Sequence, residues 1–380
     1  TGQSGLGPEL PAFKPGCGSR SVEPGMPERL ALQFGGTHLA SRAIEVGEME
    51  DPMEVAYERG WSDGLPIVPP TDLRIARMLA GTARKPDEII GLIPPNLAEC
   101  TIEKVAISAV MAGCRPALFP AVVAAVRAVL VPEYNLHGTL ATTHPCGPGL
   151  IVSGPIRHEI GINCGGNCFG QGNRTNAAIG RALQLTLLNV GGGKPGEMDR
   201  STQGSPAKYS FCFGENEEES PWEPYHVRRG FNAEDSIVTT SASEPPHNIN
   251  DHASTTGDGI LTTVAGTISE PGTNNIYGKG PYTIVFGPEH AQTVHRDGFS
   301  IEDIQQKLYE ASAVPVSRVS KEQQHHYESE RDQTPVNGRY YLSPSPEDIH
   351  VLVAGGAGKH SAFIPTFGAT AVCSVKISNG

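Results

Sequence analysis

The sequence predicts a mixed α/β protein with a helix-rich first half and a mixed sheet in its second half. In the first half, apolar residues recur at helical spacing after residues that cap helices. In the second half, short β-branched or apolar runs are bounded by Gly, Pro and Asn, which is typical of strands. No GxGxxG motif follows a predicted strand, so a Rossmann nucleotide-binding domain is not expected.

Composition divides the chain into three regions. A chain of 380 residues has room for about two or three domains. Residues 1–50 are rich in Gly, Pro and Ser and lack periodicity, which predicts an extended arm or linker. Residues 51–230 are expected to form a helix-rich α/β region with Cys- and Gly-rich loops. Residues 231–380 are expected to form an α/β region with a C-terminal Gly-rich loop.

Five helices are predicted in the first half. Thr71 and Thr101 stand at N-cap positions, and Gly113 with Pro116 ends the helix that follows Thr101. The predicted helices span residues 53–59, 72–79, 101–112, 119–131 and 175–190.

The second half is predicted to be built mainly of strands. After a first strand at residues 150–152, the β-branched runs predict strands at residues 236–240, 260–268, 282–286 and 349–354. A helix is expected after the Gly-Pro pair that follows Phe286, and another after Ser300, where Asp303 completes a weaker form of the capping box. The polar residues 321–340 are expected to form a surface loop, and no internal repeat is predicted.

Charge and hydropathy disfavour two classes of partner. The net charge is -12 without a cluster of Lys or Arg, which argues against nucleic-acid binding. The longest apolar run, residues 117–131, is interrupted by Pro120 and Arg127, so no membrane span is expected. Eight cysteines without dense regular spacing are typical of reduced thiols, and we expect a soluble cytoplasmic protein.

The strongest candidate for a functional site is the Cys- and Gly-rich stretch of residues 139–195. Cys146 follows His144 by two residues, and residues at this spacing in extended chain point the same way. A neighbouring histidine can lower the pKa of a thiol, which favours a nucleophile or an acid. A buried small residue in a turn is the alternative interpretation of Cys146.

Cys146, Cys164 and Cys168 are also candidate ligands for a metal ion or an iron–sulfur cluster. Three thiolates leave one iron of a cluster open to substrate. The C-x3-C spacing of Cys164 and Cys168 is not typical of structural zinc or of ferredoxins, however. The sequence therefore leaves a metal-free thiol site and a metal cofactor as alternatives.

Other residues are candidates for the rest of the site. Glu215 and Glu217 lie near Trp222 in sequence, and a carboxyl group in a dry pocket has a raised pKa that suits a general acid or base. A solvated acidic loop is the alternative for this run. Cys114, beside Arg115, is a further candidate catalytic thiol. The candidate substrate-binding residues are Asn176, Arg181, Trp222, Gly356, Gly358, Lys359 and His360.

Five sequence blocks resemble those of a bacterial family of unassigned function. They are WSDGLPIVPPT (61–71), TIEKVAISAVMAGCRP (101–116), NAAIGRALQLTLLNVGG (176–192), ENEEESPWEP (215–224) and FGPEHAQTVHRDGFSIEDI (286–304). Members of that family occur beside, or fused to, small UGSC-type selenocysteine or cysteine proteins. The resemblance covers roughly residues 50–380 and implies a UGSC-type redox partner, with redox or reductive-cleavage chemistry nearby.

Taken together, the sequence predicts an enzyme that acts on a small anionic metabolite by thiol-assisted acid–base chemistry, as a lyase or in a C–X bond-cleaving step. Residues 139–195 would form one wall of the pocket, and the carboxylates after Cys212 with the C-terminal Gly-rich loop would form the other. One alternative is a metal or iron–sulfur hydro-lyase that uses the clustered cysteines. The other is a non-catalytic partner of a selenoprotein-like redox subunit. A homo-oligomer is expected.

Overall fold

The structure is a computed structural model that describes residues 39–379 and, before them, Met26. Most of the predicted arm therefore lies outside the described residues, and residues 39–50 contain no helix or strand. Helices and mixed sheets both occur in the described chain, which confirms the predicted mixed α/β class.

The first part of the chain is dominated by helices that pack on one another. They are α1 (Pro52–Glu58), α2 (Asp72–Leu79), α3 (Ile102–Met111), α4 (Phe119–Val129), α5 (Leu136–Leu140), α6 (Ile156–Ile160), α7 (Arg174–Thr186) and α8 (Tyr225–Arg228). Helix α4 is apolar on every side except at Arg127, so it is buried between α7 and the first sheet. A π-turn, Leu187–Gly191, continues α7 and leads into the glycines that follow.

The strands form two four-stranded sheets and two short antiparallel pairs. The strands are β1 (Ile89–Ile93), β2 (Ala98–Thr101), β3 (Gly147–Ser153), β4 (Cys212–Gly214), β5 (Ile237–Ser243), β6 (His247–Asn250), β7 (Tyr282–Phe286), β8 (Val314–Pro315), β9 (Arg339–Tyr340), β10 (Ile349–Val353), β11 (His360–Ile364) and β12 (Cys373–Lys376). Strands β1 and β2 pair with each other, as do β8 and β9.

The two four-stranded sheets have the same sequence of strand directions. The first has the order β12-β5-β3-β4, in which β5 is antiparallel to both neighbours and β3 is parallel to β4. The second has the order β6-β11-β7-β10, in which β11 is antiparallel to both neighbours and β7 is parallel to β10. This shared strand order and direction is an internal structural repeat, which was not predicted from the sequence.

The sheets also exchange edge strands. Strand β6 follows β5 in the chain but pairs in the second sheet, whereas β12 follows β11 but pairs in the first. The faces of the two sheets pack together through buried apolar side chains, among them Ile151 and Phe213 of the first and Val285, Leu352 and Ile364 of the second. The proposed boundary between residues 230 and 231 falls between β4 and β5, two strands of one sheet.

Two predictions for the second half are wrong. Residues 260–268, predicted as a strand, belong to helix α9 (Gly257–Ile268), because Thr256 caps its first turn and its apolar residues recur at helical spacing on one buried face. Residues 321–330 form helix α13 (Lys321–Glu330) instead of a loop; Ser320 caps it, and Tyr327 anchors it in the core. The remaining helices of this half are α10 (Asn274–Gly278), α11 (Pro288–Arg296) and α12 (Ile301–Ala311).

The capping box predicted at Ser300 and Asp303 is confirmed, because each side chain accepts a hydrogen bond from the other residue's backbone N–H.

Among the described residues, no single helix is both long and apolar enough to cross a membrane. The segments Pro116–Val129 and Pro132–Leu140, which meet at a bend of 71°, pass that test when they are taken as a pair.

Candidate functional site

A cavity of about 360 Å³ lies against the Cys- and Gly-rich stretch. Thr139 and Cys146 line one side of it, and Asp199 and Lys208 line the facing segment. Leucines from α5 and from the π-turn after α7 form the apolar part of the wall. Cavities that combine an apolar wall with a few polar groups are the usual binding sites for small molecules. Residues 139–195 therefore do line a pocket.

Backbone hydrogen bonds hold the two sides of the cavity together. The N–H of Thr202 donates to the carbonyl oxygen of Thr143 at 2.9 Å, and the Ser201 hydroxyl donates to the carbonyl oxygen of His144 at 2.9 Å. The start of β3 approaches the turn before Lys208 so closely that a Cβ on Gly147 would lie 3.1 Å from the Ala207 carbonyl carbon. A side chain at Gly147 would therefore require a small shift of the backbone at Ala207.

Lys208 and Asp199 form a close ion pair in the wall of the cavity. The Lys208 ammonium lies 2.6 Å from a carboxylate oxygen of Asp199, and both side chains are mostly buried, with 21% and 13% exposed. Burial alone would raise the pKa of Asp199, but the hydrogen bonds from Lys208 and Ser201 outweigh it and lower that pKa. Asp199 is therefore an anion, and Lys208 is the cation that holds it.

The buried Cys146 lines the same cavity as this pair. Burial raises the pKa of Cys146 to about 12, although the charge of Lys208 opposes the shift. The thiol is therefore protonated at neutral pH. Its S–H donates to the carbonyl oxygen of Thr139 over 3.9 Å, which is a weak hydrogen bond. A protonated thiol is a hydrogen-bond donor and an acid, and it is a poor nucleophile.

His144 does not contact the thiol. Its Nδ1 accepts the backbone N–H of Cys146 at 3.3 Å, and its Nε2 lies 2.9 Å from a carboxylate oxygen of Glu244. Because Nδ1 accepts a hydrogen bond, Nε2 carries the proton and donates to Glu244. The predicted Cys146–His144 dyad is therefore not formed; the imidazole holds the turn before β3.

The carboxylates after β4 form a second polar centre, at the other end of β3. Glu215 is fully buried; its two oxygens accept the Tyr225 N–H and the Ser153 hydroxyl, both at 2.8 Å. Burial raises the pKa of Glu215 to about 7, and the charge of Glu217 adds to the shift. Glu217 accepts the N–H of Gly154 at 2.6 Å. The predicted raised pKa of a carboxyl group in this run is present, at Glu215.

Arg157 neutralises part of this charge. Its buried guanidinium contacts Glu217 at 2.9 Å and Glu218 at 2.8 Å, and it donates to the carbonyl oxygen of Glu215 at 2.8 Å. The hydrogen bond from Arg157 is the main cause that lowers the pKa of Glu218 to about 2. We call Glu215, Glu217 and Glu218, with Arg157 and His226, the carboxylate cluster.

The three candidate cysteine ligands do not share an ion site. Cys146 precedes β3, whereas Cys164 lies beyond its far end, where Arg157 Nη1 is 3.9 Å from the sulfur. A seven-residue strand spans roughly 20 Å, so Cys146 and Cys164 cannot bind one metal. Cys168 is buried beside Phe169 and its thiol pKa is raised to about 12 by burial. Within residues 39–379, the proposed cysteine cluster is therefore absent.

The C-terminal Gly-rich loop meets the Cys164 loop but does not line the cavity beside Cys146. The Gly355 N–H donates to the carbonyl oxygen of Cys164 at 2.8 Å, and a Cβ on Gly356 would lie 2.9 Å from the Gly166 Cα. The Gly358 N–H, predicted to hold an anion, donates to the Glu289 carboxylate at 2.7 Å. The prediction that this loop forms the opposite wall of the Cys146 pocket is wrong.

The remaining predicted residues have partners within the fold. Lys359 donates to the carbonyl oxygen of His252, whose ring nitrogen lies 3.2 Å from that of His360. Arg181 forms a bidentate pair with Asp63, both contacts at 2.8 Å, and so anchors the loop after α1.

Asn176 bonds the backbone of Asn163 and of Cys168 and so shapes the loop between them. Trp222 donates to the carbonyl oxygen of Phe299 at 3.2 Å. Cys114 is buried with its sulfur 3.4 Å from the carbonyl oxygen of Ala178, and burial raises its pKa to about 12, which argues against the predicted catalytic role.

Sequence reasoning missed the residues that complete both polar centres. Lys208 and Asp199 stand in a polar stretch without regular spacing, and Arg157 lies in a short helix beyond β3. The only signal for Arg157 was its position directly after a strand–Gly-Pro turn, where polar side chains often reach a site.

Comparison of the chain with protein-family models, with curated proteins and with solved structures found no match.

Proposed function

We propose that this protein is an enzyme that acts on a small anionic metabolite in the cavity over Cys146. The observation that carries the proposal is the meeting of a protonated thiol, an ammonium group and a carboxylate around one cavity of about 360 Å³. Of the two carboxylates that line the cavity, Asp63 is held by Arg181 and Asp199 by Lys208, and the Lys208 ammonium beside an apolar wall suits a small carboxylate or phosphate ester. The net charge of the chain, -12, repels an anion at long range, so the attraction for the substrate must come from the Lys208 ammonium in the cavity.

The reaction is an elimination. The anionic group of the substrate binds Lys208 and displaces Asp199 from it, which frees the Asp199 carboxylate to act as a base. Asp199 takes a proton from carbon, and the Cys146 S–H gives its proton to the leaving group. The C–H and C–X bonds break, a carbon–carbon double bond forms, and HX leaves. The proton that Asp199 took from carbon then passes to the Cys146 thiolate, which restores both groups to their starting states. This is the lyase step predicted from the sequence, with the thiol as the acid.

A binding experiment tests the first half of this proposal. The full chain is titrated calorimetrically with a panel of small carboxylates and phosphate esters. Loss of one charge-assisted hydrogen bond corresponds to roughly 10- to 100-fold weaker binding, so Lys208→Met should weaken the best ligand by that factor. Lys359→Met, in the separate Gly-rich loop, is the matched control and should bind normally. Equal binding by both variants would contradict the proposal.

We also propose that the protein works in the reducing environment of the cytoplasm and that several copies of it assemble into an oligomer. The seven described cysteines at positions 100, 114, 146, 164, 168, 212 and 373 are all unpaired, which is typical of reducing conditions. Mass measurement in solution tests the assembly, and a monomer at all concentrations would contradict it.

A further inference from the structure

We infer that Glu215, Glu217 and His226 form a binding site for one divalent transition-metal cation. One potential ligand atom from each side chain lies within 4.8 Å of the other two. Two carboxylates and one imidazole suit ions such as Zn²⁺ or Mn²⁺, with further positions left for water. The inference does not depend on the proposed function, because this site and the Cys146 cavity lie at opposite ends of β3.

His226 gives the strongest argument for an ion. Its side chain is fully buried, and its Nδ1 has no hydrogen-bond partner. Its Nε2 lies 3.4 Å from the carbonyl oxygen of Ala233, which can only accept, so Nε2 carries the proton. Nδ1 therefore presents a lone pair toward Glu217, whose nearest oxygen is 3.8 Å away, too far for a hydrogen bond. A cation bound between His226 Nδ1 and this Glu217 oxygen would accept a lone pair from each of them.

The two carboxylates are held in place by groups outside the site. The Tyr225 N–H and the Ser153 hydroxyl each bond one oxygen of Glu215, and the Gly154 N–H bonds Glu217. A carboxylate oxygen has two lone pairs, so each bonded oxygen retains one for a metal. Outer partners of this kind orient metal ligands in known sites.

The charge of the carboxylate cluster also favours a cation. The Arg157 guanidinium is shared by salt bridges between the mostly buried Glu217 and the more exposed Glu218, which also contacts His158. Arg228 lies near Glu215 but donates its hydrogen bonds to backbone carbonyls. Among the described residues Glu215 has no salt bridge of its own, and a buried carboxylate in that position requires either a bound proton or a bound cation.

The fold places this site where ligands commonly bind. Ser153 ends β3 and Glu215 directly follows β4, and these two strands are parallel. Their carboxyl ends therefore meet at one edge of the sheet, the position at which open α/β sheets most often bind ligands. Glu217 is 15% exposed, so an ion can enter from its side.

A pair of exposed histidines could compete for the metal ion, so the test begins by removing them. The exposed rings of His252 and His360 face each other with their Nε2 atoms 3.2 Å apart and would bind metal weakly by themselves. The full chain with His252→Ala and His360→Ala is therefore the background. It is stripped with a chelator and titrated with Zn²⁺ alone, and X-ray absorption at the zinc edge reports the ligands.

We expect one equivalent of Zn²⁺, held by oxygen and nitrogen ligands without sulfur. His226→Ala and Glu217→Gln should each weaken binding at least tenfold. Glu219→Gln, an exposed carboxylate of the same loop, is the matched control and should not change it. If His226→Ala does not fold, Glu217→Gln decides the result. Substoichiometric binding, a sulfur ligand, or unchanged affinity in Glu217→Gln would overturn the inference, while anion binding by the Cys146 cavity would be unaffected.

Discussion

Because Lys208 neutralises a mostly buried carboxylate, we expect Lys208→Met to lower the free energy of unfolding. The variant leaves Asp199, only 13% exposed, without its cationic partner. Breaking a fully buried pair costs about 3–5 kcal/mol and a surface pair contributes at most about 1 kcal/mol. For this mostly buried pair we expect a loss of about 2 kcal/mol. With an unfolding entropy of about 0.8 kcal/mol/K for a chain of 380 residues, the melting temperature should fall by about 2–3 °C.

The loss should also depend on pH. In the native protein the lowered pKa of Asp199 contributes stability above the pKa of the unfolded chain, and this contribution is lost as the pH falls through the folded value. Without Lys208, burial dominates and the pKa of Asp199 rises, so the variant should instead gain stability relative to the native protein as the medium is acidified.

A double-mutant cycle with Asp199→Asn checks this reasoning by thermal unfolding at neutral and acidic pH. The amide introduced by Asp199→Asn would retain the hydrogen bond from the Ser201 N–H without a charge, so the double variant should be more stable than Lys208→Met alone by about 1–2 kcal/mol. A double variant no more stable than Lys208→Met, or a pH-independent difference, would refute the account of the pair. Lys359→Met serves as the control for loss of a lysine.

Three further predictions follow from other contacts. Asp63→Asn should destabilise the protein by about 1–3 kcal/mol in denaturant unfolding, because it weakens the bidentate pair with Arg181, whereas the exposed Glu58→Gln should be neutral. Thr256→Ala should cost about 1 kcal/mol because Thr256 caps α9, and an unchanged stability would argue against that cap. Among the described cysteines, the half-buried Cys164 should react first with iodoacetamide, as read by mass spectrometry of peptides; faster reaction of Cys146 would contradict its buried, protonated state.

The helices of the first half could be predicted because their signals are local. Thr101 caps α3 through the N–H of Lys104, and Gly113 follows the helix end with a φ of +82°. Helix α9 was missed because β-branched residues such as Thr262, Thr263 and Val264 favour strands, while its one-sided burial against the second sheet decides in favour of helix.

The site could be predicted only in part. The stretch around Cys146 was found because Cys and Gly density is visible in the sequence. The facing wall of the cavity, which contains Lys208, was not predicted. Lys208 comes close to Cys146 only because the chain folds back along β3 after α7, and no sequence pattern indicates that path. The carboxylate run was found, but it was assigned to the same pocket because the sequence does not show that β3 separates the two centres.

The most direct test of the proposed function is turnover by the full chain on a panel of β-hydroxy and other β-substituted carboxylic acids, measured as formation of a carbon–carbon double bond by NMR. We predict that Cys146→Ala slows the reaction by about 10²- to 10⁴-fold, the usual contribution of a general acid, and that Lys208→Met mainly weakens substrate binding. Cys100→Ala, which removes a buried thiol outside the cavity, should leave turnover unchanged. Turnover that survives in both Cys146→Ala and Lys208→Met would contradict the assignment of this cavity as the active site.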